Sequence, residues 1–239
     1  MHPLLTIMNA AAEGTFPPAD GTVEVMPLFE GSPHIYILEL TGHAYVMTDR
    51  TQAELEAVGA DGFGGVMHPN VLNFLANGLT VAAQTALDTG SDRDTAGGGQ
   101  SGAHIGCHDA LLVARGTGIP VSLTGGALIE GLLPRRTDLD DHPRVGYAKV
   151  QRRHVQVYGD ERGLVTLGRG IADRWEISVE VDPANRTAGN ARALINEALS
   201  HIPSDQWCFA EVSPGNAASL RAFLAAGWIP IGAEIIIMP

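Results

Sequence analysis

The alternation of apolar and polar positions is clearest in RWEISVEV, where Trp175, Ile177, Val179 and Val181 alternate with Glu176, Ser178 and Glu180. A period of two puts these sets on opposite faces of a strand. Upstream, VGYAKV and HVQVYGD are strand-like, and GDERG makes a hairpin turn into a further strand, LVTLGRGI. Downstream the period lengthens. From about Gly189, Leu194, Ile195, Ala198 and Leu199 fall on one helical stripe. WCFAEV (207–212) reads as another strand. Asn216 caps a second helix carrying Leu220, Phe223 and Leu224, Gly227 ends it, and WIPIGAEIIIMP is a last strand. The order from Val145 is β-β-β-α-β-α-β.

The first half patterns less sharply. Residues 15–33 are rich in turn-formers around one short strand. HIYILELTGHAYVMT (34–48) is β-branched and aromatic on both sides of Thr41-Gly42, the pattern of a hairpin. Asp49 is positioned to cap a short helix over TQAELEAV. ADGFGGVMHPNVLNFLANG begins as a tight glycine-rich turn, with Phe63 expected to be buried as a plug, and turns helical after Pro69. Residues 88–106 read as a flexible loop and DALLVARGTG (109–118) as a buried strand followed by a turn. Residues 120–143 read as irregular, with DLDDHP as an acidic turn. The expected domains are 1–135, an α+β region of unassigned topology, and 136–239, a mixed sheet with flanking helices.

Composition narrows the function classes. Of 239 residues, 45% are hydrophobic and 18% charged, a globular balance. The net charge of −12 argues against nucleic-acid and anionic-membrane partners, which are held largely by Lys and Arg. Cys107 and Cys208 imply no disulfide framework. The N-terminal stretch MHPLLTIMNAAAEGTFPP lacks the basic start and long apolar run of a secretion signal, so a cytoplasmic location is expected. HIGCHD (104–109) crowds potential metal ligands together, but no second cluster completes a four-ligand set, and no metal is assigned. The run Gly97–Gly102 lacks the Gly-Lys-Ser/Thr that would make it a P-loop.

The segment VDPANRTAGNARALINEAL (181–199) carries the strongest chemistry. A strand runs into a helix through a turn of little side-chain bulk with one arginine in it. The first N–H groups of a helix have no intrahelical partner, and the dipole makes that end positive. Gly189, Ala188 and Ala191 keep the approach open and Arg186 adds a charge, so the turn suits a pyrophosphate. Arg186-Thr187-Ala188-Gly189-Asn190-Ala191 resembles the acetyl-CoA motif of the GNAT acetyltransferase superfamily. Asn216-x-x-Ser219, with Phe223 and then Gly227-Trp228, resembles that superfamily's second motif. Both stand in order, separated by a strand, and the resemblance covers about residues 145–239.

The resemblance implies an α+β fold with a GNAT-like C-terminal sheet, and acetyl-CoA as co-substrate. It implies that Val179 and Val181 bond the pantetheine arm through their peptide groups. Arg186, Thr187, Gly189, Asn190 and Ala191 would cradle the pyrophosphate, Asn216 would contact the arm or cap its helix, and Ser219 would lie near the thiol or phosphate end. The implied reaction is direct transfer of acetyl to a small-molecule amine, helped by a base and an acid. A homodimer is compatible with the pattern.

Two positions depart from the family. The tyrosine that many members carry as an acid, seven residues after the motif Asn, is Phe223. The glutamate that in some members opens the strand before the CoA loop aligns with Trp175, and Glu176 is one step off, facing the other way unless a bulge rotates it back. Glu176, Glu180 and Glu211 are the candidate bases, with Glu176 and Glu211 preferred. These departures leave a second reading: a degenerate module that binds acyl-CoA without catalysis, or serves a structural or regulatory role.

Overall fold

The computed structural model describes residues 2–30, 32–88, 103–118, 132–186 and 189–239. In chain order the elements are α1 (Pro3–Ala12), β1 (Val23–Met26), β2 (Ile35–Leu40), β3 (His43–Met47), α2 (Gln52–Ala57), α3 (Pro69–Asp88) and β4 (His104–Arg115). There follow α4 (Pro143–Gln151), β5 (Arg153–Asp160), β6 (Gly163–Arg169), β7 (Trp175–Val181), α5 (Asn190–Ala198), β8 (Trp207–Val212), α6 (Ala217–Ala225) and β9 (Ile229–Met238). The chain divides into two compact units, each discontinuous in sequence. One is Met1–Thr15 with Leu111–Ile231, and the other is Phe16–Ala110 with Gly232–Pro239. The boundary expected at 135/136 falls within the first. Both are α+β, built of mixed sheet and helices as expected.

In the first unit the strands run β4-β8-β7-β6-β5. β5, β6 and β7 form an antiparallel meander, and β7 and β8 are parallel, joined through α5. α4 packs against β5 and β6, and α5 against β6 and β7. The expected α5 stripe of Leu194, Ile195, Ala198 and Leu199 is buried. In the second unit the order is β1-β3-β2-β9-β4. The hairpin of β2 and β3 turns at Thr41-Gly42, both with positive φ, and β2 also pairs with β9 antiparallel. Ile35, Ile37, Val46, Ile235 and Ile237 form its core with Leu55, Val71 and Leu75 from α2 and α3.

Local expectations fail at four points. VGYAKV is helical, because His142 caps α4 by accepting from Arg144 N and Pro143 fills its first turn. The strand propensity of Val145, Tyr147 and Val150 yields to Val145 and Ala148 reaching the core from one helix face. Thr51, not Asp49, caps α2, in a reciprocal capping box with Glu54. HIGCHD belongs to β4 instead of a loop, while residues 89–102 lie outside the described residues. Phe63 lies over Gly21 and Gly42 and is 67% exposed, so it is no buried plug. Sequence reading also missed α1, which His2 caps and which buries Leu4, Met8, Ala11 and Ala12.

Candidate functional site: the parting of β7 and β8

β7 pairs with β6 along its whole length, from Trp175 opposite Arg169 to Val181 opposite Gly163, with no shift of register. No bulge therefore turns Glu176 onto the other face. Toward β8, among the described residues, the ladder holds Trp175 with Cys208 and Glu176 with Phe209, and then ends. From Ile177 to Val181 the peptide groups on that side have no β8 partner. Buried or half-buried peptide groups need hydrogen bonds, so a gap of this shape accepts an added extended chain.

The gap opens toward the turn that leads into α5. Asp182 Oδ1 accepts from Ala184 N at 2.8 Å, tightening the 3₁₀ turn Pro183–Asn185. Asn185 Nδ2 donates to Glu161 O at 2.7 Å, and Asn190 Nδ2 donates to Asn185 O at 2.9 Å, so side chains brace the turn from both sides. Gly189 occupies the N-cap with φ 81° and no side-chain cap bond, and a Cβ built there would meet nothing within 4 Å. Among the described residues no side chain caps the first N–H groups of α5. Arg186 is exposed, and among the described residues it makes no ion pair. Thr187 lies outside the described residues, as does Ala188.

At the other end of the gap, where the strands still pair, lies an ionic chain that the sequence reading did not find. Glu176 is 3% exposed. Its carboxylate accepts from Arg174 Nε at 2.8 Å, Arg152 Nε at 2.9 Å and Ile171 N at 3.0 Å. Arg174, itself buried, reaches on to Glu211 Oε1 with Nη2, stands over the Phe209 ring, and turns Nη1 to the Met8 sulfur at 3.3 Å. Arg152 Nη1 donates to Thr166 Oγ1 at 3.3 Å, and that hydroxyl lies 2.6 Å from Ser178 Oγ. Burial and the nearby Glu211 push the Glu176 carboxyl up, against the pull of Arg174 and Arg152. Two arginines and two glutamates leave the group near neutrality, the condition for burying charge. Gly170 makes room for it, since a Cβ there would overlap the Glu176 carboxylate.

Glu211 is the more reachable of the two preferred bases, its side chain 19% exposed. Glu180 lies four residues along β7 from Glu176 and pairs with Arg144 at 3.2 Å. Asn216 caps α6, its Oδ1 accepting from Ser219 N at 3.1 Å. Phe223 is buried edge-to-face against Trp228 with ring centroids 4.9 Å apart. Burial pushes the Cys208 thiol far up, which makes it a poor nucleophile. A separate cavity of about 500 Å³ beside the end of β7 is lined by Asp160, Glu161, Glu180 and Asp182 with Arg136. Its mostly acidic wall disfavours a phosphate, in contrast to the α5 turn.

No family model matches the chain, and no curated protein is similar to it. Among solved structures it is similar to a protein assigned to the GNAT acetyltransferase family from Novosphingobium aromaticivorans, at 15% identity and a TM-score of 0.38. That match covers 56% of this chain and 66% of the other. It is also similar to a GCN5-related N-acetyltransferase from Kribbella flavida, at 12% identity and a TM-score of 0.36, over 58% of this chain and 60% of the other. The chain spans less than two thirds of either protein's own length. Among the described residues no helix is long and apolar enough to cross a membrane, and no three His, Cys, Asp or Glu side chains converge as a metal site.

Proposed function

We propose that the chain is an acetyl-CoA-dependent N-acetyltransferase acting on a small-molecule amine. The observation that carries this reading is the end of the β7–β8 ladder after Glu176, next to a helix α5 whose N-cap Gly189 makes no side-chain cap bond. The peptide groups of Val179 and Val181 pair with the amides of the pantetheine arm as a neighbouring strand would. The N–H groups of Gly189, Asn190 and Ala191 hold the pyrophosphate, with Arg186 supplying charge. Ile177–Val181 gives about 17 Å of extended strand between pyrophosphate and apex, at ~3.3 Å per residue. Asn216 serves by capping α6, and Ser219 offers a hydroxyl in that helix's first turn.

The amine nitrogen attacks the thioester carbonyl carbon; a C–N bond forms, the C–S bond breaks, and CoA leaves. Glu211 takes the proton from nitrogen. Glu176 is too enclosed to meet an amine and is a positioning residue, fixing Arg174 and through it Glu211. Phe223 has no proton to give, so the departing thiolate takes one from water.

Calorimetric titration with acetyl-CoA, followed by thiol release over a panel of amines, tests the reading. Micromolar binding that Arg186→Ala weakens about tenfold, with amine-dependent thiol release, is expected. Failure to bind either acetyl-CoA or CoA would remove it. A second reading, an acyl-CoA-binding module without catalysis, draws support from Arg174 lying across the apex. It predicts the same binding and no thiol release.

A further inference from the structure

The apex of the gap is covered from one side. α1 packs against the turn Ile171–Asp173, directly before Arg174, and presents Leu4, Met8, Ala11 and Ala12 as its buried face. The Met8 sulfur is 3.3 Å from Arg174 Nη1, and the same guanidinium bonds Glu176 on β7 and Glu211 on β8. Met8, Arg174 and Phe209 are thus stacked over the point where the strands begin to part. Glu211, the proposed base, is bonded to that same guanidinium.

α1 is a short element seated by its packing, with Leu4 and Met8 fully buried and Ala11 and Ala12 nearly so. α1 has 10 residues, a length at which an isolated helix is marginal in water, so its order depends on the surface beneath it. Its contact with Arg174 is a thioether on a guanidinium, far weaker than the ion pairs that hold Arg174 to the two strands. Gly14, with φ 84°, follows the helix, and no regular element intervenes before β1.

We propose that α1 is a removable plug on the amine side of the β7–β8 gap. With α1 seated, Met8 and Arg174 close the apex; when it lifts away, an amine reaches the thioester and Glu211. The proposal rests on the acetyl-CoA reading above and adds a regulated step to it: acetyl-CoA enters along the gap from the α5 turn, whereas the acceptor enters only through the opened plug.

Hydrogen exchange and kinetics on the full chain test it together. In the wild-type protein, the α1 amides should exchange at least ~100-fold faster than those of β6, because α1 opens locally without global unfolding. Met8→Ala should keep acetyl-CoA affinity within about twofold and raise kcat/KM for the amine about tenfold. Thr6→Ala, on the exposed side of α1, should change neither. Exchange of α1 as slow as that of β6 would overturn the plug, whatever happens to the variants. So would Met8→Ala that binds acetyl-CoA normally with unchanged or lower kcat/KM, or binding without thiol release in both proteins. A wild-type chain that binds no acetyl-CoA would overturn the functional reading and the plug with it. Calorimetry reads that failure separately.

Discussion

Arg174 donates from Nη2 to Glu211 Oε1 across the line along which β7 and β8 part, while its Nε holds Glu176 on β7 at 2.8 Å. One buried guanidinium therefore joins the two strands just where their backbone ladder stops. The arrangement reconciles two needs. The ladder ends early enough to leave β7 peptide groups without a β8 partner, and a side-chain bridge holds the two strands at that point.

Replacing that bridge should be costly. Arg174→Leu leaves Glu176 and Glu211 with one arginine between them, and breaking a buried charge pair costs about 3–5 kcal/mol. At roughly 2–4 °C per kcal/mol for a chain of this size, a Tm about 10 °C lower is expected. Thermal unfolding followed by circular dichroism checks this; a shift under a degree or two would mean that the bridge is incidental.

Gly170→Ala tests the space around the same group. The position has an ordinary negative φ, so backbone strain is not at issue, but the new methyl would fall on the Glu176 carboxylate. Overpacking of this kind costs about 1–3 kcal/mol. Denaturant unfolding should show the loss with an unchanged slope.

Much of the fold was legible because it is written locally. The alternation in 175–181, the Gly189 and Gly227 punctuation and the Thr41-Gly42 turn all act within a few residues, and the corresponding elements stand where expected. The ionic chain was not legible. The alternation read Glu176 as a polar-face residue, but α4 covers that face too, and the partner Arg152 is 24 residues away in sequence. The parting of β7 from β8 has no local signature either, since it depends on what two distant strands fail to share. α4 was missed because a cap and a proline outweighed the strand propensity of its apolar residues.

The pH dependence of stability carries the sign of the Glu176 shift. Its folded-state carboxyl is raised above the ordinary 4.5, so the folded chain keeps a proton there that the unfolded chain has lost. The associated stability is full below 4.5 and is lost as pH rises through the folded value. Urea unfolding at a series of pH values should show this decline in wild type, and a flatter profile in Glu176→Gln. An opposite slope attributable to Glu176 would show that the arginines outweigh burial.

Phe223→Tyr should not restore an acid. The ring is buried and packed edge-to-face on Trp228, so the added hydroxyl is taken out of water, at a cost of about 1–3 kcal/mol. Lower stability with no gain in turnover is expected. A rise in turnover, measured by thiol release, would place that ring at the reacting centre.

The central claim is that a CoA arm fills the space between β7 and β8. Amide hydrogen exchange at 178–181 and 189–191, with and without acetyl-CoA, tests it most directly. The account predicts that saturating acetyl-CoA slows both segments about tenfold or more, as new hydrogen bonds close on them. Bound acetyl-CoA that leaves both segments unchanged while protecting another surface would contradict it.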